Sequence, residues 1–168
     1  MQLKYFNMIN DFKNVFVSHY GRDDEHVQNL KQLLKSNGMT IKNSSIDSTK
    51  PNQASNADYI RSLLRDRIQW AGTTIVLIGP RTHTRDWVNW EIEQSAKQGN
   101  RVVGIYINGG STSDLPENFK KYGSALVGWR SEGIIKAIEG ENNFQDSSGH
   151  TLDSLDSNNT FNLTRGTC

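Results

Sequence analysis

The stretch Thr73-Thr74-Ile75-Val76-Leu77-Ile78-Gly79-Pro80 carries the clearest strand signal in the sequence. Its second half, before the glycine, is apolar throughout, as expected for a strand of a parallel sheet that helices cover on both faces. Gly79 and Pro80 end the run, because proline has no N–H group to donate to a sheet. The stretch therefore predicts a buried strand of an α/β domain.

Strand and helix signals alternate on both sides of this run. Four further strands are predicted, at 14–18, 39–46, 101–107 and 125–129. Amphipathic segments with apolar residues at helical spacing separate the strands, and the connections are too long for hairpins. This order predicts a doubly wound α/β fold, with a parallel sheet between two layers of helices.

The length of 168 residues fits a single domain. We place that domain at residues 14–139, after a lead of residues 1–13. Residues 140–168 are rich in Asn, Ser, Asp, Thr and Gly, a composition typical of a flexible tail. Within the domain, Trp70 and Trp129 are predicted core residues.

Composition excludes several classes of partner. The 19 basic and 18 acidic residues leave a formal charge of +1, which does not favour nucleic acid. No segment approaches the roughly 20 apolar residues of a membrane-spanning helix. Residues 1–13 lack the apolar stretch of a signal peptide, and the single cysteine, Cys168, cannot form an internal disulfide. We therefore expect a cytoplasmic protein without a membrane partner.

Ligands of open parallel sheets bind beyond the carboxyl ends of the strands, near the point where strand order reverses. The segments at that edge are 18–22, 47–56 and 79–90. A dinucleotide fingerprint would need three glycines after the first strand, where only Gly21 occurs, and a P-loop lysine-serine pair is absent. The phosphoacceptor aspartate of a receiver domain and the Thr/Gly-rich loop of a flavodoxin are missing as well. These four common site types are disfavoured.

The segment Trp87-Val88-Asn89-Trp90-Glu91 is the remaining candidate. In a helix predicted from about Asp86 to Lys97, Trp87 and Glu91 share one face. Glu91 then lies about 7.5 Å along the axis from the start of the helix, near the ligand edge. Glu93 lies nearly opposite around the same helix, and spacing alone does not decide between the two glutamates.

Phe16-Val17-Ser18-His19, followed by Trp87-Val88-Asn89-Trp90-Glu91-Ile92, resembles the Toll/interleukin-1 receptor (TIR) domain family over residues 14–139. Within that family, residues 76–82, 87–92, 97–100 and 104–108 are similar to TIR-like proteins of the bacterial Thoeris antiphage system. The resemblance implies a flavodoxin-like fold with five strands. For enzymatic members it implies cleavage of the nicotinamide–ribose bond of NAD.

The resemblance also implies roles for residues and partners. Glu91 falls on the family's catalytic glutamate, NAD is a substrate rather than a cofactor, and no metal is expected. The implied product is a cyclic ADP-ribose isomer or a related ADP-ribose conjugate, a diffusible messenger that activates a separate effector. A phage-derived trigger and a homo-oligomer are further partners that the family allows.

Nicotinamide leaves NAD as a neutral molecule, so one carboxylate can suffice where ordinary glycosidases need two. With an ordinary pKa of about 4.3, Glu91 is expected to be ionised at pH 7 and to stabilise an oxocarbenium-like transition state. We expect Trp87 to cover the nicotinamide side and to exclude water, which favours capture of the sugar by an acceptor other than water.

Further substrate contacts are expected from residues that follow the first two strands, namely Ser18, His19, Tyr20 and Asp47. Each candidate also has an ordinary alternative. Glu91 could be a solvated helix flank and Trp87 a packing residue, while His19 could be structural in its loop. Arg81 and Arg85 could meet a pyrophosphate, although a surface role is the more common one.

Two other functions remain open at this point. A catalytically silent TIR-like module could scaffold partners through its helices and loops. A nucleoside-processing hydrolase on a related fold is the third option. Release of nicotinamide from NAD separates the enzyme from the scaffold.

Overall fold

The computed structural model describes residues 12–45 and 57–155. Its strands form one parallel sheet in the order β2-β1-β3-β4-β5. They are β1 Phe12–Ser18, β2 Thr40–Asn43, β3 Thr73–Ile78, β4 Arg101–Tyr106 and β5 Ala125–Val127. The predicted five-stranded, doubly wound sheet is confirmed, and its order is of the flavodoxin type.

Helices cover both faces of the sheet. They are α1 Asp24–Lys35, α2 Ala57–Ala71, α3 Asp86–Lys97, α4 Glu117–Tyr122 and α5 Ser131–Glu139. Helices α1 and α5 pack on one face, and α2, α3 and α4 pack on the other. Across the described residues, every helix is too short or too polar to span a bilayer.

Strand β1 shows how the sequence assigns side chains to the two faces. Val15 and Val17 pack with α1 and α5, whereas Phe16 packs with α2. Because successive side chains of a strand point to opposite faces, Ser18 shares the face of Phe16. The last residue of β1 is therefore turned towards the layer that contains α3.

The segment that follows α5 differs from the predicted flexible tail. The Leu126 amide donates to the Asn143 carbonyl at 2.8 Å, and the Gln145 amide donates to the Leu126 carbonyl at 2.8 Å. Phe144 and Leu155 pack against the core beneath. The edge strand β5 leaves backbone groups unpaired, and this segment supplies their partners. Part of the predicted tail, within residues 141–155, thus docks against β5, while 156–168 lie outside the described residues and the domain boundary stays a prediction.

Of the two predicted core tryptophans, Trp129 is partly buried against the core and Trp70 is 49% exposed. Ile68 and Ala71 of the same helix are buried. At helical spacing, a residue two positions after Ile68 is turned to the opposite side, so Trp70 faces outward. The prediction for Trp70 is wrong.

Candidate active site

The candidate site lies where the strand order reverses, between β1 and β3. The two strands pair in parallel, with Ser18 opposite Val76. Helix α3 begins at Asp86, a short connection after β3 ends. The last residue of β1 and the first turns of α3 therefore meet at the carboxyl edge of the sheet, the usual location of ligand sites in this architecture.

Helix α3 is fixed to the sheet by apolar and polar contacts. Val88 and Ile92 are buried in the core between α3 and the sheet. The Ser95 hydroxyl donates to the Glu91 carbonyl at 2.7 Å and lies 2.7 Å from the Thr74 hydroxyl of β3. Both hydroxyls are fully buried. This pair ties the backbone of Glu91 to β3 and so sets the height of its side chain above the sheet.

The carboxyl group of Glu91 is buried, although the residue as a whole keeps some exposure. Burial raises the pKa of Glu91 to about 8, and the Ser18 hydroxyl offsets part of that rise. The loss of water around the group disfavours its charged form. The raised pKa of Glu91 runs against our expectation that the carboxyl is ionised at pH 7.

The Ser18 hydroxyl is fully buried and has no hydrogen-bond partner of ordinary geometry among the described residues. It is nevertheless close enough to the Glu91 carboxyl to lower its pKa. Buried polar groups nearly always have a partner, and the exceptions need an explanation. A polar ligand group between Ser18 and Glu91 would provide that partner.

Glu93, the second candidate glutamate, has a different environment. Its side chain is 39% exposed, and a carboxylate oxygen lies 3.3 Å from the Lys97 ammonium one turn along the helix. Glu93 is thus a surface residue in an ordinary helical ion pair. The structure distinguishes the two glutamates, which spacing alone did not.

His19 is held on both sides of its ring. Nδ1 donates to the Val17 carbonyl at 3.0 Å, and Nε2 contacts the Asp24 carboxylate. Its side chain is only 6% exposed. With both nitrogens engaged, His19 fastens the loop after β1 to the start of α1. This geometry favours the structural alternative over a substrate contact.

Tyr20 lies at the junction of the two loops that border the site. The Arg85 guanidinium carbon is 3.7 Å from the centre of the Tyr20 ring. Arg85 directly precedes α3, and Tyr20 stands two residues after Ser18. The stacked pair therefore joins the loop after β1 to the start of the helix that carries Glu91.

Trp87 lies on the side of α3 that faces α2. Its ring meets the Trp90 ring edge-on, with centroids 5.7 Å apart, and the Arg61 guanidinium carbon lies 5.7 Å from the ring centre. Trp87 remains 44% exposed, so part of its side chain is open at the surface. Asp47, the remaining predicted contact, lies outside the described residues.

Sequence reasoning missed the groups that position the site. Ser95 stands four residues after Glu91, a spacing that allows a helical serine to bond the earlier carbonyl, and this signal could have been recognised. The partner of that serine, Thr74, and the stacking of Tyr20 with Arg85 depend on contacts between distant segments. Nothing in the local sequence indicates them.

Two cavities bounded by described residues lie away from Glu91. One of about 690 Å³ is enclosed by the end of β5, by α5 and by parts of residues 141–149. Another of about 370 Å³ lies beside His19 and α1. The candidate site is thus defined by its carboxyl, hydroxyl and aromatic groups rather than by either cavity.

Comparison with known sequences identifies the family. The profile described as "Thoeris protein ThsB, TIR-like domain" matches residues 16–112, more than half of the chain. A Bacillus cereus (strain MSX-D12) protein named "Putative cyclic ADP-D-ribose synthase ThsB1" is 39% identical over 49 residues. That match covers 29% of this chain and 26% of the relative, so only about a quarter of the relative's length is spanned.

Solved structures give more distant matches. The TIR domain of the Toll-related receptor TRR-2 from Hydra magnipapillata is 14% identical, with a TM-score of 0.49 over 74% of this chain and 90% of that domain. The CMP N-glycosidase BcmB of Clostridium botulinum is 13% identical, with a TM-score of 0.45 over 76% of this chain and 98% of that protein.

Proposed function

This chain belongs to the family of the Thoeris protein ThsB with a TIR-like domain, and we propose that it is an enzyme that cleaves the nicotinamide–ribose bond of NAD. One observation carries the proposal: the buried Glu91 carboxyl lies beside the Ser18 hydroxyl, which has no other hydrogen-bond partner in the described part of the chain, at the edge where β1 and β3 end. The name of the Bacillus cereus relative, which describes a cyclic ADP-D-ribose synthase, supports NAD as the substrate.

The binding step is coupled to loss of a proton. With a pKa of about 8, Glu91 is mainly a neutral acid at pH 7. The nicotinamide ring of NAD carries a positive charge, and a nearby positive charge lowers the pKa of a carboxyl group. Substrate that places its nicotinamide riboside at Glu91 therefore drives off the proton and generates the carboxylate where it is needed.

The bond between the ribose C1′ and the nicotinamide nitrogen then breaks, and its electron pair goes to the nitrogen. Nicotinamide leaves as a neutral molecule and needs no acid. Positive charge develops on the ribose, where the Glu91 carboxylate stabilises it at short range in a poorly hydrated environment. The Ser18 hydroxyl gains a partner in a ribose hydroxyl.

The identity of the acceptor decides the product. Capture of the sugar by a nucleophilic atom of the same molecule, with loss of a proton, gives a cyclic ADP-ribose isomer, and another acceptor gives an ADP-ribose conjugate. The exposed part of the Trp87 side chain would cover the nicotinamide side and limit access of water. The product would act as a messenger for a separate effector after a phage-derived trigger, with NAD consumed as substrate and no cofactor required.

Substitution of Glu91 tests the proposal, and Glu93 provides a matched control on the same helix. Glu91→Gln removes the carboxylate and is expected to lower nicotinamide release by a factor of about a hundred or more. Glu93→Gln makes the same chemical change at the surface and should leave the rate unchanged. Nicotinamide is measured by chromatography after incubation with NAD, with and without lysate of phage-infected cells as a source of trigger.

A catalytically silent interaction module is the second candidate. The exposed aromatic side chains of α2 and α3, Tyr59, Trp70 and Trp87, are the observation that favours it. Wild-type protein that releases no nicotinamide in either condition would support this alternative. Release by Glu91→Gln at the wild-type rate would refute the assigned role of the glutamate.

A further inference from the structure

We propose that Arg85 binds a phosphate group of the substrate and thereby makes the site select nucleotides over nucleosides. The inference rests on the proposed function in one respect, namely that the substrate's ribose lies at Glu91. It assigns Arg85 a role in specificity at the end of the ribose that carries the 5′-phosphate, away from the hydroxyls that face Glu91.

The side chain of Arg85 is held in place by the Tyr20 ring. Its guanidinium carbon stacks 3.7 Å from the centre of the Tyr20 ring, and the residue is partly buried. Stacking occupies one face of the guanidinium plane and leaves the N–H groups at its edge available. Among the described residues, no carboxylate oxygen lies within 4 Å of Arg85 and no side-chain hydrogen bond from it is formed. A guanidinium positioned in this way matches a phosphate group.

Two described acids close to Arg85, Asp23 and Asp86, do not pair with it directly. Arg85 lowers the pKa of Asp23, but its effect is smaller than that of His26 or His19. Asp86, the next residue along the chain, is exposed to solvent. Neither of them forms an ion pair with Arg85.

The spacing on α3 fits a ribose 5′-phosphate. Arg85 directly precedes α3, and Glu91 lies about 7.5 Å along the helix axis from Asp86, the first residue of α3. A ribose carries its 2′ and 3′ hydroxyls at one side and its 5′-phosphate at the other. A sugar whose hydroxyls meet Glu91 and Ser18 can therefore direct its phosphate towards the Tyr20–Arg85 stack.

Three other arginines whose side chains the structure describes lack these properties. Arg81 has an exposed side chain, and its backbone amide is bonded to Asp114 at 3.2 Å. Arg61 pairs with Asp58 at 3.3 Å, and Arg65 donates to the Gln94 side chain at 3.2 Å. Arg81 is consequently a matched control, since it follows the same strand but does not stack on the loop after β1.

Titration calorimetry with ADP-ribose tests the inference without requiring catalysis. Arg85→Ala is expected to weaken ADP-ribose binding about tenfold or more, as for loss of a charge-assisted contact. Arg81→Ala should change it less than twofold. Adenosine, which has no phosphate, should bind both variants and the wild type equally. Arg85→Lys keeps the charge but loses the planar fork, and intermediate binding is expected.

Three results would overturn the inference: no binding of ADP-ribose to the wild type, wild-type affinity in Arg85→Ala, or equal loss of ADP-ribose and adenosine binding. The last would show that Arg85 acts only by supporting Tyr20. A phosphate-dependent loss in a protein that releases no nicotinamide would sustain the Arg85 site and refute the proposed enzyme. Nicotinamide release that needs Glu91 but not Arg85 would support the proposed enzyme and refute the Arg85 site.

Discussion

Glu91 and Glu93 carry the same functional group on the same helix, yet their surroundings give them opposite properties. The Glu93 carboxylate is exposed and paired with Lys97. The Glu91 carboxyl is buried, has no cation within 4 Å among the described residues, and has a pKa raised to about 8. The comparison teaches that burial without a counter-ion, rather than the residue type, distinguishes a candidate catalytic acid from a surface charge.

The largest expected effect is a pH dependence of the unfolding free energy that arises from Glu91 and not from Glu93. Folded protein keeps the Glu91 proton up to about pH 8, whereas the unfolded chain loses it near pH 4.5. Between these values, a rise in pH favours the unfolded state by about 1.4 kcal/mol per pH unit at this residue. Glu91→Gln should therefore become progressively more stable than the wild type from pH 5 to pH 8, as measured by urea denaturation.

Glu93→Gln is the control for this experiment. Its free energy of unfolding should follow the wild-type curve, because the Glu93 side chain stays partly exposed in the folded protein and is not desolvated as Glu91 is. A Glu91→Gln curve that runs parallel to the wild type would show that the buried carboxyl is charged in the folded protein.

Ser18 and Ser44 offer a smaller contrast between buried hydroxyls. The Ser44 hydroxyl donates to the Arg67 carbonyl at 2.9 Å, whereas the Ser18 hydroxyl has no partner of ordinary geometry among the described residues. Ser44→Ala should cost about 1 kcal/mol in unfolding free energy, and Ser18→Ala should cost less, because among the described residues the Ser18 hydroxyl forms no hydrogen bond of ordinary geometry.

Ser18→Ala should still act on Glu91, since the hydroxyl lowers its pKa. The pKa of Glu91 should rise further, which NMR titration of ¹³C-labelled glutamate carboxyls would detect. Ser44→Ala should leave that titration unchanged. An unaltered Glu91 signal in Ser18→Ala would mean that the hydroxyl does not reach the carboxyl.

The smallest effect concerns the surface ion pair. Lys97→Ala removes the partner of Glu93 and should cost no more than about 0.5 kcal/mol, with no change in nicotinamide release. High salt should reduce even this difference. A loss of more than about 1 kcal/mol in thermal denaturation would show that this side of α3 is more tightly packed than its exposure indicates.

The fold was largely readable from the sequence because hydrophobic periodicity is local. The apolar run that begins at Thr73 predicted strand β3, and the spacing of Val88 and Ile92 predicted the buried side of helix α3. The docked segment after Gly140 was not readable, because its polar composition hides the backbone pairing with Leu126. Trp70 was wrongly predicted to lie in the core. It follows the buried Ile68 by two positions of a helix, so its side chain points to the opposite side.

The site was readable only in part. The segment from Trp87 to Glu91 indicated a candidate at the correct edge, and resemblance to a family selected the glutamate. Its raised pKa, the Ser18 hydroxyl beside it and the stacking of Arg85 were beyond that reasoning. Each of them depends on the distance between groups on different segments.

The sequence by itself determined the order of the strands and helices, the faces that are buried and the helix that carries the two glutamates. Those properties follow from residue spacing along a single segment. Tertiary structure decided which glutamate carboxyl is desolvated, which hydroxyl lies beside it and which arginine stacks on Tyr20. Desolvation and hydrogen bonding act over a few ångströms in space, and only the folded chain brings β1 and α3 within that range.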